Sequence, residues 1–227
     1  MTDLGQLRTE VEAAYRRLDL PSWPDPHPDR SPRDEEYSRV THPGRYGIVH
    51  ARARVWADRL SELPGVRVEP QAPSPPDGDG LVGRFDRGVR VTSPRPGTLP
   101  LLLLERDVPV DGAGASLAVL YVSVVRPEVT VDVQPDCGCD ACDSGSEDLL
   151  RAIDDAIGRV VGGPFVALQG NGWHARWSPD RGGSGGTPWA PDHAWLMELC
   201  RRLAAGEDVR VPEETEAFVG RSWLDGP

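Results

Sequence analysis

Read for the spacing of its apolar residues, the chain divides into helices at both ends and strands between them. Leu7, Val11, Ala14 and Leu18 recur at helical spacing and predict a helix over 4–18. Tyr46, Val49, Ala53, Trp56, Leu60 and Leu63 form one stripe, predicting a helix over 41–63 with Thr41 as cap and Pro43 in its first turn. Short alternating runs at 66–68 and 89–92, continuous apolar runs at 99–104 and 117–125, and strict alternation at 128–133 read as strands. Ser144 and Glu147 have capping-box spacing before a further helix faced by Leu149, Leu150, Ile153, Ile157, Val160 and Val161. Residues 164–178 read as a hairpin turning on Asn171-Gly172, with Val166, Leu168, Trp173, Ala175 and Trp177 on the core face. Gln169, His174 and Arg176 then share the opposite face, where they could bind an anion or be plainly solvated. A glycine-rich surface loop over 180–187 and a last helix over 191–203 follow, the latter with Trp195, Leu196, Leu199, Cys200 and Leu203 facing inward. Phe218, Trp223 and Leu224 are candidate anchors for the tail.

These elements predict an α+β fold: a mainly antiparallel sheet of about five to seven strands, helices packed on one side, in a single domain over 1–227. Residues 21–36 stand apart as a proline-rich surface arm. Its five prolines between Pro21 and Arg33 exclude a helix or a central strand, and Trp23 is the residue able to pin it.

Charge narrows the range of partners. The formal net charge is −11 and every basic residue is arginine, a coding bias of GC-rich bacterial genomes. Such a balance repels nucleic-acid backbones and anionic lipid, so neither nucleic acid nor a membrane is an expected partner. Residues 1–18 lack the apolar core of a signal peptide and no apolar run is long enough to span a bilayer, so a cytoplasmic location with reduced thiols is expected.

The unusual chemistry lies at Asp136-Cys137-Gly138-Cys139-Asp140-Ala141-Cys142-Asp143, which holds three of the four cysteines. Cys137, Cys139 and Cys142 can place three sulfurs around one ion, for which zinc is the natural candidate. Cys200, His174, His193 or a flanking aspartate could supply a fourth ligand. The other reading is a metal-free turn. The flanking aspartates oppose thiolate formation, which argues against a nucleophilic or redox thiol. The glycine-rich 181–186 run has neither the lysine of a P-loop nor the flanks of a nucleophile elbow.

Two stretches carry a resemblance. Tyr37-Ser38-Arg39-Val40-Thr41-x-Pro43, with His50 after it, and the Cys-Gly-Cys-Asp-Ala-Cys-Asp loop resemble an uncharacterised bacterial family of domains of unknown function. The resemblance brings no activity, cofactor or catalytic residue, and implies only that both motifs belong to one domain. Two functions stay open: a non-enzymatic module binding a protein or small ligand, with zinc or a bare turn at the loop, and a metal-dependent hydrolase or other enzyme with its metal there. A closed site of four protein ligands marks the first, an open position the second.

Overall fold

The computed structural model describes residues 2–73, 84–110, 112 and 114–224. Among them the fold is α+β, with four α-helices and two antiparallel sheets. Strands β1 (Arg67–Gln71), β2 (Arg87–Thr92), β3 (Leu101–Pro109), β4 (Ser116–Val124) and β5 (Thr130–Gln134) pair in chain order. The second sheet has the order β8-β7-β6-β9, from β6 (Phe165–Gly170), β7 (Trp173–Ser178), β8 (Arg181–Gly186) and β9 (Glu216–Gly220).

Helices α1 (Leu4–Arg16), α2 (Ile48–Ser61) and α3 (Ser146–Gly162) share the main core with one face of the first sheet. Leu7 and Val11 of α1, Trp56 and Leu60 of α2, and Ile153 and Ile157 of α3 meet Leu101, Leu103, Leu120 and Val122 there. Phe165 and Ala167 of β6 join that core. Val166 and Leu168 point the other way, onto α4 (His193–Ala204) with its Leu196, Leu199 and Cys200. Both faces of β6 are therefore covered, and its even-numbered side is not the hairpin's only buried one.

The hairpin has the expected register: Gly170 faces Trp173, Leu168 faces Ala175 and Val166 faces Trp177. Gly172, though not Asn171, takes a positive φ, +72°, a conformation open to glycine. Trp173 is buried, Trp177 half-buried and His174 exposed.

Several local expectations are corrected. Residues 41–47 are not α-helix. Thr41 does not cap, because its N–H and hydroxyl both donate to Asp140, and Pro43–Gly47 is a separate 3₁₀ turn before α2. The Ser144/Glu147 capping box does not form. The helix begins two residues later, and Ser146 instead receives the Trp23 N–H on its hydroxyl. Residues 181–186 are a strand rather than a loop, pairing with β7 over its whole length. Its glycines allow close approach: a Cβ at Gly182 would lie 2.3 Å from the Met197 sulfur. The tail contributes β9, which covers the open edge of β6. Trp195 is 46% exposed, since the buried stripe of α4 runs through Leu196, Leu199 and Cys200.

The proline-rich arm has no helix or strand over 21–33, as its prolines predict, and a 3₁₀ turn follows at Asp34–Ser38. The arm is tied at two points. Trp23 anchors it near α3. Buried Glu36 gathers it, accepting from both Arg30 Nη atoms at 3.3 and 3.2 Å and from the Arg33 N–H at 2.6 Å, with His27 Nε2 at 3.4 Å. The Arg30 hydrogen bonds foremost, then the Arg33 N–H, hold the Glu36 carboxyl down at about 2, against its usual 4.5. Because the folded-state value is the lower one, this stabilisation is complete above pH 4.5 and is lost as pH falls toward 2. In paired thermal melts, Glu36→Gln should melt below wild type at pH 6, and the gap should close by about pH 2. A gap independent of pH would contradict the assignment.

Candidate metal centre

The cysteine loop connects β5 to α3, and its curl is set by packing. Gly138 lies against β4, where a Cβ would fall 2.3 Å from Leu117 Cδ2, so residue 138 must lack a side chain for the loop to lie down. The Sγ atoms of Cys137, Cys139 and Cys142 all lie within 4.8 Å of one another, and those of Cys137 and Cys139 are 3.2 Å apart. Three thiolates about 2.3 Å from a tetrahedral zinc would sit about 3.8 Å from each other. The cluster therefore fits a single ion with small adjustments. Cys139 is buried, whereas Cys137 and Cys142 are exposed.

The protons in the cluster are unevenly held. Burial pushes the Cys139 thiol up, but hydrogen bonds from the Cys137 and Cys142 thiols and from the N–H groups of Cys142 and Ala141 outweigh it, and Cys139 lies below its ordinary value. Cys142, bonded first to Cys139 and then to Cys137, is pushed up to about 12. Cys139 is thus the sulfur prepared for negative charge.

The expectation that the aspartates oppose such charge needs correcting, because Asp140 and Asp143 are each matched by an arginine. Asp140 accepts from Arg39 Nε at 2.6 Å and from the Thr41 N–H at 2.9 Å. Asp143, nearly enclosed, accepts from Trp23 Nε1 at 2.9 Å, from the Gly145 N–H at 2.9 Å and from Arg45. The Arg45 guanidinium lies 4.6 Å from the centroid of the Trp23 ring and 5.3 Å from that of Tyr46. Asp136 accepts from the Cys137 N–H at 2.8 Å. The Asp140 N–H donates to the Arg39 carbonyl at 2.7 Å, joining the two stretches backbone to backbone. The Tyr37–Tyr46 stretch and the cysteine loop, about a hundred residues apart, therefore form one assembly.

The proposed fourth ligands are not brought together with the sulfurs. Among the described residues the ligand cluster consists of the three cysteines alone. Cys200 lies in the separate core beneath α4, its thiol pushed up to about 12 by burial. His193 Nδ1 is 2.9 Å from the Ser184 hydroxyl, and His174 stands on β7. The carboxylates of Asp136, Asp140 and Asp143 already accept the hydrogen bonds above. Beside the sulfurs a cleft of about 280 Å³ opens, lined by Tyr46, Asp136, Cys137, Cys142 and Asp148 among others.

His50, from the first stretch, lies elsewhere. It is buried against β4, with Nε2 3.0 Å from the Val119 carbonyl and Nδ1 3.2 Å from Arg87 Nη2. Arginine can only donate, so Nδ1 accepts and Nε2 carries the proton toward Val119. Arg39, Arg45 and Trp23 are partners of the loop that its own residues do not announce. The signal for them in the sequence is charge complementarity, arginines in one motif and aspartates in the other.

No helix among the described residues is long and apolar enough to cross a membrane. Searches of curated proteins and of solved structures returned no match. A family model matches residues 11–227, both motifs included, and the chain belongs to that family, DUF6226, a family of unknown function.

Proposed function

We propose that Cys137, Cys139 and Cys142 together hold one zinc ion, and that the protein is a non-enzymatic module of the reducing cytoplasm, binding a protein or small ligand. The observation that carries this reading is the convergence of three sulfurs within 4.8 Å on a loop whose N–H groups already favour charge on Cys139. Thiolates suit zinc, which needs no redox partner. Its role there would be to lock the turn that presents Asp140 and Asp143 to Arg39, Thr41, Arg45 and Trp23, and so to fasten the N-terminal segment to the body of the fold.

A second reading, a metal-dependent hydrolase, is favoured by one observation: the described residues add no fourth ligand, and a cleft adjoins the sulfurs. Alkylation kinetics test the shared premise. The loop thiols should react slowly until a chelator is added and quickly afterwards. Fast alkylation that a chelator leaves unchanged would contradict metal binding. Ester or phosphoester hydrolysis that follows zinc content and disappears in Cys142→Ser would favour the second reading.

A further inference from the structure

Gln169, His174 and Arg176 share the hairpin face that could bind an anion, and the metal site uses none of them. His174 and Arg176, though not Gln169, line a different cleft, of about 260 Å³, where the edge strand β5 meets β7 and β8. Arg159 enters from α3, His174 and Arg176 from β7, and Arg181 from β8.

The positive charge in this cleft is poorly matched. Neither Arg176 nor Arg181 makes an ion pair among the described residues, and Arg159 has only Asp132, at 3.5 Å. Arg176 donates through Nε to the Thr130 carbonyl and through Nη1 to the Ala175 carbonyl, which leaves its Nη2 without a hydrogen-bond partner among the described residues. Burial holds Arg176 down at about 10. Burial also lowers Arg159, against the opposing pull of Asp132 and with the Arg181 charge lowering it further, and the partial burial of the His174 ring lowers His174, with help from Arg176. Burial is the first cause for each of the three. This occurs in a chain of net charge −11.

The glycine-rich strand gives the cleft its shape. Gly183 pairs with Arg176, and a Cβ built on it would meet nothing within 4 Å. The surface beside the Arg176 guanidinium is therefore open backbone. Ser184, next along the strand, brings a hydroxyl to the lining.

We propose that this cleft binds a small oxyanion of the phosphate type, either free or as the phosphomonoester end of a larger molecule. Guanidinium groups from three elements match the several oxygens of such an ion, whereas a carboxylate would satisfy fewer of them. The volume falls below the range of about 300–1,000 Å³ typical of sites that enclose a whole drug-sized ligand, so only the anionic end would be held.

Titration calorimetry at matched ionic strength tests this with inorganic phosphate, glycerol phosphate and acetate. Phosphate should bind saturably and acetate should not. Tighter binding of glycerol phosphate assigns the site to an ester, and tighter binding of phosphate to the free ion. Arg181→Gln and Gly183→Asp should each weaken phosphate binding at least tenfold. Both should fold, since Arg181 is exposed and makes no ion pair among the described residues and the space over Gly183 is open, and unchanged thermal melts would show it. No saturation up to about 10 mM phosphate, equal binding of acetate, or unchanged affinity in both variants would overturn the proposal.

Discussion

Asp154→Ala should lower the stability of the fold by about 3–5 kcal/mol, the usual cost of removing one partner from a buried ion pair. Arg52, on α2, is only 2% exposed. Its Nε donates to one Asp154 oxygen at 2.8 Å and its Nη2 to the other at 2.5 Å, while Nη1 reaches Glu12 of α1 at 3.0 Å. Trp56 Nε1 donates to the same Asp154 carboxylate at 2.7 Å, and the Arg52 guanidinium lies 5.0 Å from the centre of the Tyr15 ring. Three helices thus meet at one charged knot at the edge of the main core, where Arg52, Asp154 and Glu12 line a cleft of about 580 Å³. Removing Asp154 leaves a buried cation with a single, half-exposed partner and strands the Trp56 N–H. Arg52→Met combined with Asp154→Leu should be far milder, because neither charge is then left alone. Urea unfolding followed by tryptophan fluorescence reads both variants. A loss below about 1 kcal/mol for Asp154→Ala would show that the knot adds little.

Cys139→Ser should have the second large effect, weakening zinc binding by roughly a hundredfold or more. Even partners outside the coordination shell are commonly worth 10–100-fold, and Cys139 is proposed as a direct ligand. It is also the buried sulfur of the three and the one that accepts the Ala141 and Cys142 N–H groups. The consequence should spread along the chain. Asp140 and Asp143 hold Arg39, Thr41, Arg45 and Trp23, so hydrogen exchange over residues 23–45 should quicken in the variant and hardly change over the 165–178 hairpin. Exchange that rises equally in both segments would point to general destabilisation instead of a released anchor.

What could be read from the sequence was local. Asn171-Gly172 specifies its own turn, so the hairpin register followed from a few residues. The apolar runs behind β3 and β4 are long enough to declare buried strands, and α3 carries an unbroken apolar face. What could not be read depends on partners distant along the chain. Thr41 looks like a helix cap until Asp140 arrives to take both its donors. Glycines at 182, 183, 185 and 186 look like a loop until β7 offers them a ladder and Met197 needs the space. The tail carries little strand signal of its own, and β9 forms because β6 has an edge to cover. At the cysteine loop the clustering of the three sulfurs was legible, because three cysteines within six residues can hardly avoid one another. The electrostatics were not, since the arginines that offset the aspartates come from about a hundred residues earlier.

The most direct test of the metal reading is native mass spectrometry, with elemental analysis, of protein purified without added metal, run beside Cys139→Ser. One zinc ion per wild-type chain and none in the variant is the expected result. Wild-type protein that carries no metal, and takes up none when zinc is supplied, would contradict it.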